Sequence, residues 1–127
     1  MIGITGYNGF IGKNLLPFLG ENVVCVGKTS IEKYKWIKCD ITESYQDIKK
    51  KLEKYHFTHF YHLAGDPLVK TDKSQIDTKL NINTLSTSKI LSSLNSDCVF
   101  HFISSATVYG NLQQCTEADE TKPTSIY

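Results

Sequence analysis

Three glycines near the start of the chain have a spacing that could bind an anion. Gly6, Gly9 and Gly12 separate an apolar run at residues 1–4 from a second apolar run at 13–19. This order predicts a strand, a glycine-rich turn and a helix, and the helix N-terminus would present N–H groups to an anion. Glycines also occur in ordinary turns, but their place at the first strand–helix junction favours a dinucleotide site.

The residues after the predicted second strand bear on which dinucleotide would bind. Sites for NAD place a carboxylate at the end of that strand, where it binds the ribose 2′-hydroxyl. Here Gly27 holds the position, and Lys28, Thr29 and Ser30 follow it. A cation and two hydroxyls favour a 2′-phosphate, although lysine is a point charge and lacks the bidentate fork of arginine. The sequence therefore favours NADP, with NAD as the alternative.

Two further groups could take part in chemistry. Ser104 and Ser105 follow the predicted fifth strand, where they could form a turn or supply a catalytic hydroxyl. His62 lies between apolar residues at the end of another strand, and we expect it to be structural. The spacing of the other histidines and of the four cysteines indicates no metal site.

The elements that must position these residues alternate between strand and helix. Strands, each a short apolar run, are predicted at residues 1–4, 22–26, 36–39, 57–63 and 99–103. Helices are predicted at residues 13–19, 45–55 and about 74–94. The apolar side of the last helix is predicted to comprise Ile76, Leu80, Ile90, Leu91 and Leu94. Residues after Gly110 are predicted to form loops.

This alternation predicts an α/β fold of the Rossmann type. The expected architecture is a doubly wound parallel sheet of five strands in the order 3-2-1-4-5, with right-handed crossovers. Ligands of such sheets bind beyond the carboxyl ends of the strands, near the switch between strands 1 and 4. The candidate residues above all follow predicted strands, so we expect them to share one edge of the sheet.

The composition argues against several classes of protein. A chain of 127 residues, 40% of them hydrophobic, is expected to form one domain with a packed core. The net charge is +1 and all fourteen basic residues are lysines, which argues against a nucleic-acid partner because such sites usually use arginine. We find no apolar run of membrane-spanning length and no signal peptide, so we expect no membrane partner and a reducing, cytoplasmic location.

Several motifs in order make the chain resemble the NAD-dependent epimerase/dehydratase family, the extended short-chain dehydrogenases that act mostly on nucleotide sugars. The resemblance spans residues 1–127. Residues 5–12 are similar to T-G-x-x-G-F-I-G, and residues 123–127 are similar to P-x-S-x-Y. The most specific match is S-S-A-x-V-Y-G at residues 104–110.

The resemblance implies a Rossmann-type dinucleotide-binding domain and roles for individual residues. It implies cofactor contacts from the glycine turn, an Asp-aliphatic pair, an H-x-A-[AG] segment and the Asn of N-x-x-G-T: Gly6, Gly9, Phe10, Ile11, Gly12, Asp40, Ile41, Leu63, Ala64, Gly65 and Asn81. Lys28 is added to these contacts because its positive charge favours a 2′-phosphate. Asp40 could equally cap a loop. Residues 84–85 are Thr-Leu where the motif has Gly-Thr. Catalytic roles are implied for Ser105 and Tyr127.

In the resembled family a lysine four residues after the tyrosine favours its phenolate form. The sequence ends at Tyr127, so we expect the 127-residue chain alone not to catalyse epimerisation or dehydration. Three interpretations stay open: the N-terminal dinucleotide-binding part of an enzyme, a natural truncation that binds a dinucleotide or a partner, and a vestigial chain. The resemblance also implies a nucleotide-sugar substrate for the intact enzyme, with the sugar undetermined. Members often dimerise through the long helix, which leaves a homodimer open.

Overall fold

A parallel sheet of five strands forms the centre of the structure, a computed structural model that describes residues 1–67, 72–111 and 114–124. The strands are β1 (Ile2–Thr5), β2 (Val23–Gly27), β3 (Lys35–Lys38), β4 (His59–His62) and β5 (Val99–Phe102). Their order is β3-β2-β1-β4-β5, and every neighbouring pair is parallel. The predicted fold class and strand order are therefore confirmed.

The helices cover both faces of this sheet. They are α1 (Phe10–Leu19), α2 (Tyr45–Leu52), α3 (Ile76–Lys79) and α4 (Ser86–Ser92). A π-helical segment, Leu80–Leu85, joins α3 to α4 without a break. Ser44 caps α2, because its side chain accepts a hydrogen bond from the Asp47 N–H.

Two apolar clusters hold the layers together, one on each face. Alternate residues of β2 serve different clusters, since successive side chains of a strand point to opposite faces. Val24 and Val26 pack with Ile48 of α2 and Ile90 of α4. Their neighbours Val23 and Cys25 belong to the cluster of α1. β2 is thus buried on both sides, as its continuous apolar run indicates.

The long helix departs from the regular pattern predicted for residues 74–94. Its buried side chains are Lys79, Ser86, Ile90 and Ser93, whereas Leu80 and Leu91 are exposed. The prediction that Leu80 and Leu91 lie on the apolar side is wrong, because each follows a buried position by one residue. Ile90 is buried and Leu94 packs against the core, as predicted. The buried side also includes Lys79, Ser86 and Ser93, which the hydrophobic pattern does not select.

Candidate functional site

A cleft of about 600 Å³ lies beyond the carboxyl ends of β1, β2 and β4, at the switch in strand order. Its floor is the turn after β1, which includes Gly6 and Gly9. We call residues 27–29 and 40–42 the β2–β3 wall, and residues 63–67 the β4 wall. Among the predicted cofactor contacts, those that line the cleft are Gly6, Gly9, Lys28, Asp40, Ile41, Leu63, Ala64 and Gly65.

The floor of the cleft depends on the absence of side chains at the glycine turn. Gly6 has a φ of +67°, and a Cβ there would lie 2.5 Å from the carbonyl carbon of Leu63. A Cβ on Gly12 would collide with the carbonyl oxygen of Gly6. These close approaches bring the first turn of α1 against the end of β1 and the β4 wall, as the spacing of the glycines predicts.

The N-terminus of α1 is open to an anion. Its helical hydrogen bonds begin with the Lys13 N–H and the Gly9 carbonyl, so the preceding N–H groups of Phe10, Ile11 and Gly12 have no helical partner. The first turn holds no acidic side chain, and Gly9 caps the helix without a side-chain bond. Nothing in this turn therefore offsets the positive end of the helix dipole. The helix begins three residues before the predicted start at residue 13.

Three predicted contacts lie in this first turn rather than in the wall of the cleft. The side chain of Phe10 is 87% exposed and that of Ile11 is half exposed, whereas Gly12 is buried. None of the three is among the residues that line the cleft. What this turn has without a helical partner is its backbone N–H groups.

The β2–β3 wall contains one charged pair. The Lys28 Nζ lies 3.8 Å from Asp40 Oδ2, with 76% of the lysine side chain exposed. Asp40 Oδ1 accepts hydrogen bonds from the Thr42 N–H at 3.0 Å and the Thr42 hydroxyl at 2.8 Å. These two bonds hold the pKa of Asp40 below its usual value. Asp40 thus caps the turn before α2, as one sequence interpretation expects, and it also lines the cleft. Its contact with a cofactor stays a prediction.

Asn83 holds the β4 wall in place, although the family motif predicts a role for Asn81. The Asp66 N–H donates to Asn83 Oδ1 at 2.7 Å, and Asn83 Nδ2 donates to the Asp66 carbonyl at 3.1 Å. Asn81 lies outside the lining of the cleft within the described residues, and its carbonyl accepts the Ser86 hydroxyl at 2.7 Å. Asn83 fits the N-x-x-small-Thr spacing through Ser86 and Thr87, which is the signal that could have found it.

A buried chain of hydrogen bonds links β1, β4 and α4 behind this wall. The Thr5 hydroxyl lies 2.8 Å from His62 Nδ1, and the Thr87 hydroxyl lies 3.1 Å from His62 Nε2. Thr87 donates its own proton to the Asn83 carbonyl, so the network assigns the imidazole proton to Nε2. Thr5 then donates to Nδ1 and accepts the Ala64 N–H at 3.2 Å.

Burial keeps this imidazole neutral. It lowers the pKa of His62 to about 4. A protonated ring would carry a second N–H, at Nδ1, and this group would face the Thr5 hydroxyl. Thr5 could then no longer donate its proton to the ring. The expectation that His62 is structural agrees with this geometry.

The predicted catalytic hydroxyl lies at the end of β5. Ser105 caps a short 3-10 helix, Ala106–Tyr109, and its Oγ accepts hydrogen bonds from the Thr107 N–H at 3.2 Å and the Thr107 hydroxyl at 2.9 Å. With both acceptor positions used, the Ser105 proton is left to donate. The second predicted catalytic residue, Tyr127, lies outside the described residues.

Other candidate chemistries find little support in the part of the chain that the structure describes. No cluster of three or more His, Cys, Asp or Glu side chains suits a metal ion within residues 1–67, 72–111 and 114–124. No helix in these ranges is long and apolar enough to cross a membrane. The four cysteines are unpaired, and burial raises the pKa of Cys25 and of Cys39 to about 11.

Comparisons with known proteins agree with this architecture. The model of the NAD dependent epimerase/dehydratase family matches residues 2–127. A CDP-paratose 2-epimerase from Salmonella typhi is 28% identical over 130 residues, which cover 87% of this chain and 38% of that protein. The chain therefore spans well under half the length of this relative.

Solved structures show the same relationship. The structure of MoeE5 with UDP-glucose and NAD is 28% identical with a TM-score of 0.82, and the match covers 99% of this chain and 44% of that one. An ADP-L-glycero-D-manno-heptose-6-epimerase from Helicobacter pylori is 26% identical with a TM-score of 0.78, over 99% of this chain and 46% of that one. With a family match over nearly its whole length, the chain belongs to the NAD dependent epimerase/dehydratase family.

Proposed function

We propose that this chain, as a single domain, binds NAD or NADP in the cleft and forms the dinucleotide-binding part of an enzyme that acts on a nucleotide sugar. The observation that carries the proposal is the open N-terminus of α1 at the floor of the cleft. The free N–H groups of its first turn and the missing side chains of Gly6 and Gly9 suit a pyrophosphate. MoeE5, a relative over this same region, was solved with NAD.

Each part of the cleft would hold one part of the dinucleotide. The pyrophosphate would lie at the glycine turn, on the N–H groups of Phe10 and Ile11. The adenosine would lie against the β2–β3 wall at Asp40 and Ile41, and the nicotinamide half would lie towards the β4 wall. A bound nicotinamide supplies hydride transfer, and the chain supplies binding and orientation.

We favour NADP over NAD for this site. Lys28 is largely exposed at the end of β2, and no carboxylate occupies position 27. Asp40, 3.8 Å from the lysine, partly offsets its charge. The preference therefore depends on whether a 2′-phosphate displaces Asp40 as the partner of Lys28.

The chemical step would need a hydroxyl and a tyrosine near the sugar. Ser105 would donate a hydrogen bond to a sugar oxygen, because Thr107 occupies its acceptor positions. Tyr127 would be the base by resemblance to the family.

We further propose a cytoplasmic protein without nucleic-acid or membrane partners. Its unpaired cysteines suit a reducing compartment. A homodimer through the long helix is supported by the exposed side chains of Leu80, Leu85 and Leu91. Sedimentation equilibrium tests the dimer. If the long helix forms the interface, we expect the unsubstituted chain to be a dimer and a Leu85→Lys variant to be a monomer.

A matched pair of substitutions on α1 tests the proposed binding. Phe10 and Phe18 are 87% and 86% exposed and lie at opposite ends of the same helix. Phe10→Glu adds a negative charge in the first turn, where it favours the helix but repels a pyrophosphate. We expect it to weaken NADPH and NADH binding by roughly tenfold or more in calorimetric titration, and Phe18→Glu to leave both unchanged. Equal affinities for the two variants would contradict the proposal.

A further inference from the structure

The last residue of β2 has no room for a side chain. Gly27 is absent from the glycines with positive φ, so its backbone conformation suits any residue. A Cβ at this position would nevertheless lie 2.9 Å from both Cε1 and the hydroxyl oxygen of Tyr7. Such a distance requires one of the two groups to move. The reason for glycine here is thus the ring of Tyr7 and not the backbone.

Tyr7 cannot readily move aside. The ring is 2% exposed and packs with Ile4, Leu16 and Val23 beneath α1. Its hydroxyl donates a hydrogen bond to the Thr29 carbonyl. Rotating the ring away from Gly27 would therefore break that bond and open a void in the cluster.

Three hydrogen bonds, one of them from Tyr7, hold the backbone of the β2–β3 wall. The Thr29 carbonyl accepts the Tyr7 hydroxyl, and the Gly27 carbonyl accepts Trp36 Nε1–H at 3.0 Å and the Cys39 N–H at 3.1 Å. Between these two fixed carbonyls lies Lys28, whose side chain is largely exposed. Lys28 and Thr29 are the residues after β2 that face the cleft beside Gly27.

We propose that Tyr7 determines which dinucleotide the cleft accepts. By filling the space beside Gly27, it excludes the carboxylate that would bind a ribose 2′-hydroxyl, and it holds Lys28 and Thr29 in the place where they meet the 2′ substituent. This inference rests on the proposed function, because it presumes that the adenosine lies at the β2–β3 wall. It makes the pair Tyr7 and Gly27, rather than Lys28 alone, the determinant of preference for the 2′-phosphate.

A double-mutant cycle for stability tests the steric part without any ligand. Tyr7→Leu removes the Cε1 and hydroxyl atoms that block position 27 but keeps an apolar side chain in the core. We expect Gly27→Asp alone to lower the Tm by roughly 5–10 °C. In the Tyr7→Leu background the same substitution is expected to cost less than half of that shift. Tyr7→Met, with a flexible side chain, provides a second background if the leucine variant folds poorly.

The binding part is tested by titrating the same proteins with NADPH and NADH. We expect the unsubstituted chain to prefer NADPH and the double variant Tyr7→Leu with Gly27→Asp to shift the ratio of the two Kd values at least roughly tenfold towards NADH. Tyr7→Leu alone serves as the control for the loss of the ring. It is expected to lower NADPH affinity without gaining NADH affinity.

The outcomes separate the two proposals. Equal Tm losses from Gly27→Asp in both backgrounds, or an unchanged Kd ratio in a double variant that still binds, would overturn the role of Tyr7 and leave the proposed binding function standing. Failure of the unsubstituted chain to bind either dinucleotide would overturn both proposals. A smaller Tm loss from Gly27→Asp in the Tyr7→Leu background, together with a ratio of Kd values shifted towards NADH, would support both proposals.

Discussion

The two walls of the cleft differ in what holds them, since the β2–β3 wall presents charged side chains to solvent and the β4 wall rests on buried hydrogen bonds. Lys28 and Asp40 form a partly exposed pair at 3.8 Å. Behind the β4 wall, His62 is buried between Thr5 and Thr87 with a defined proton direction. Exposed charges can exchange partners with a ligand at little cost, whereas a buried network cannot. We infer that the β2–β3 wall determines which ligand binds and that the β4 wall determines how the ligand is positioned.

The largest expected effect comes from removing the buried imidazole. His62→Leu leaves the hydroxyls of Thr5 and Thr87 without their partner, so we expect a loss of about 2–4 kcal/mol in the free energy of unfolding. Urea denaturation measures it. His56→Leu is the control, because His56 is mostly exposed and pairs with Asp97 at the surface. A loss no larger than that of the control would show that the buried hydrogen bonds of His62 contribute little to stability.

The pH dependence of stability should show the same imidazole. The pKa of His62 is lowered from 6.5 to about 4 by burial, so between these values the unfolded chain binds the proton more readily than the folded one. The contribution of neutral His62 is therefore complete above pH 6.5 and lost as the pH falls to about 4. We expect about 3 kcal/mol to disappear across this range. A His62→Leu variant whose stability falls as steeply as that of the unsubstituted chain would contradict this assignment.

A smaller effect is expected from the amide that holds the β4 wall. Asn83→Ala removes both bonds to the backbone of Asp66 and should cost about 1–2 kcal/mol of stability and weaken dinucleotide binding severalfold. Asn81→Ala provides the comparison, because only its backbone carbonyl takes part in the bond to Ser86. Thermal unfolding and titration of both variants decide between them. If Asn81→Ala weakens binding more than Asn83→Ala does, the asparagine that supports binding is Asn81, as the family motif implies.

The smallest effect is expected at the β2–β3 wall. Lys28→Ala should weaken NADPH binding by about three- to tenfold and change NADH binding little, since only NADPH carries the 2′-phosphate. Lys33→Ala removes the same charge from an exposed site outside the lining of the cleft and should change neither. The effect of Lys28 should also diminish with added salt. Equal losses for both dinucleotides would mean that Lys28 does not distinguish them.

Local patterns predicted the parts of the fold that depend on local chemistry. The apolar run of β2 and the glycines at 6, 9 and 12 indicate their structures without reference to distant residues. The strand order is the one typical of Rossmann-type sheets built from alternating strands and helices. Contacts between distant residues were not predictable in this way. The collision between Tyr7 and position 27 joins residues twenty apart in sequence, and the bond between Asn83 and Asp66 depends on how the long helix meets β4.

In the long helix, too, local patterns did not predict all of the side chains that are buried. Leu80 and Leu91 are exposed because the buried stripe is made of Lys79, Ser86, Ile90 and Ser93. A buried lysine beside Asp66, 3.3 Å away, is the reverse of what hydrophobic periodicity selects. Such a position can be found only once the partner is known.

Amide chemical shifts can show, residue by residue, whether the cleft at the switch between β1 and β4 binds a dinucleotide. Titration of the isotopically labelled chain with NADPH should shift the N–H signals of Gly6, Gly9 and Phe10, together with those of Asp40 and residues 63–65. The N–H signals of α2 beyond its first turn should stay unchanged and serve as the internal control. Shifts confined to other parts of the sheet, or none at saturating NADPH and NADH, would show that a dinucleotide does not bind in this cleft.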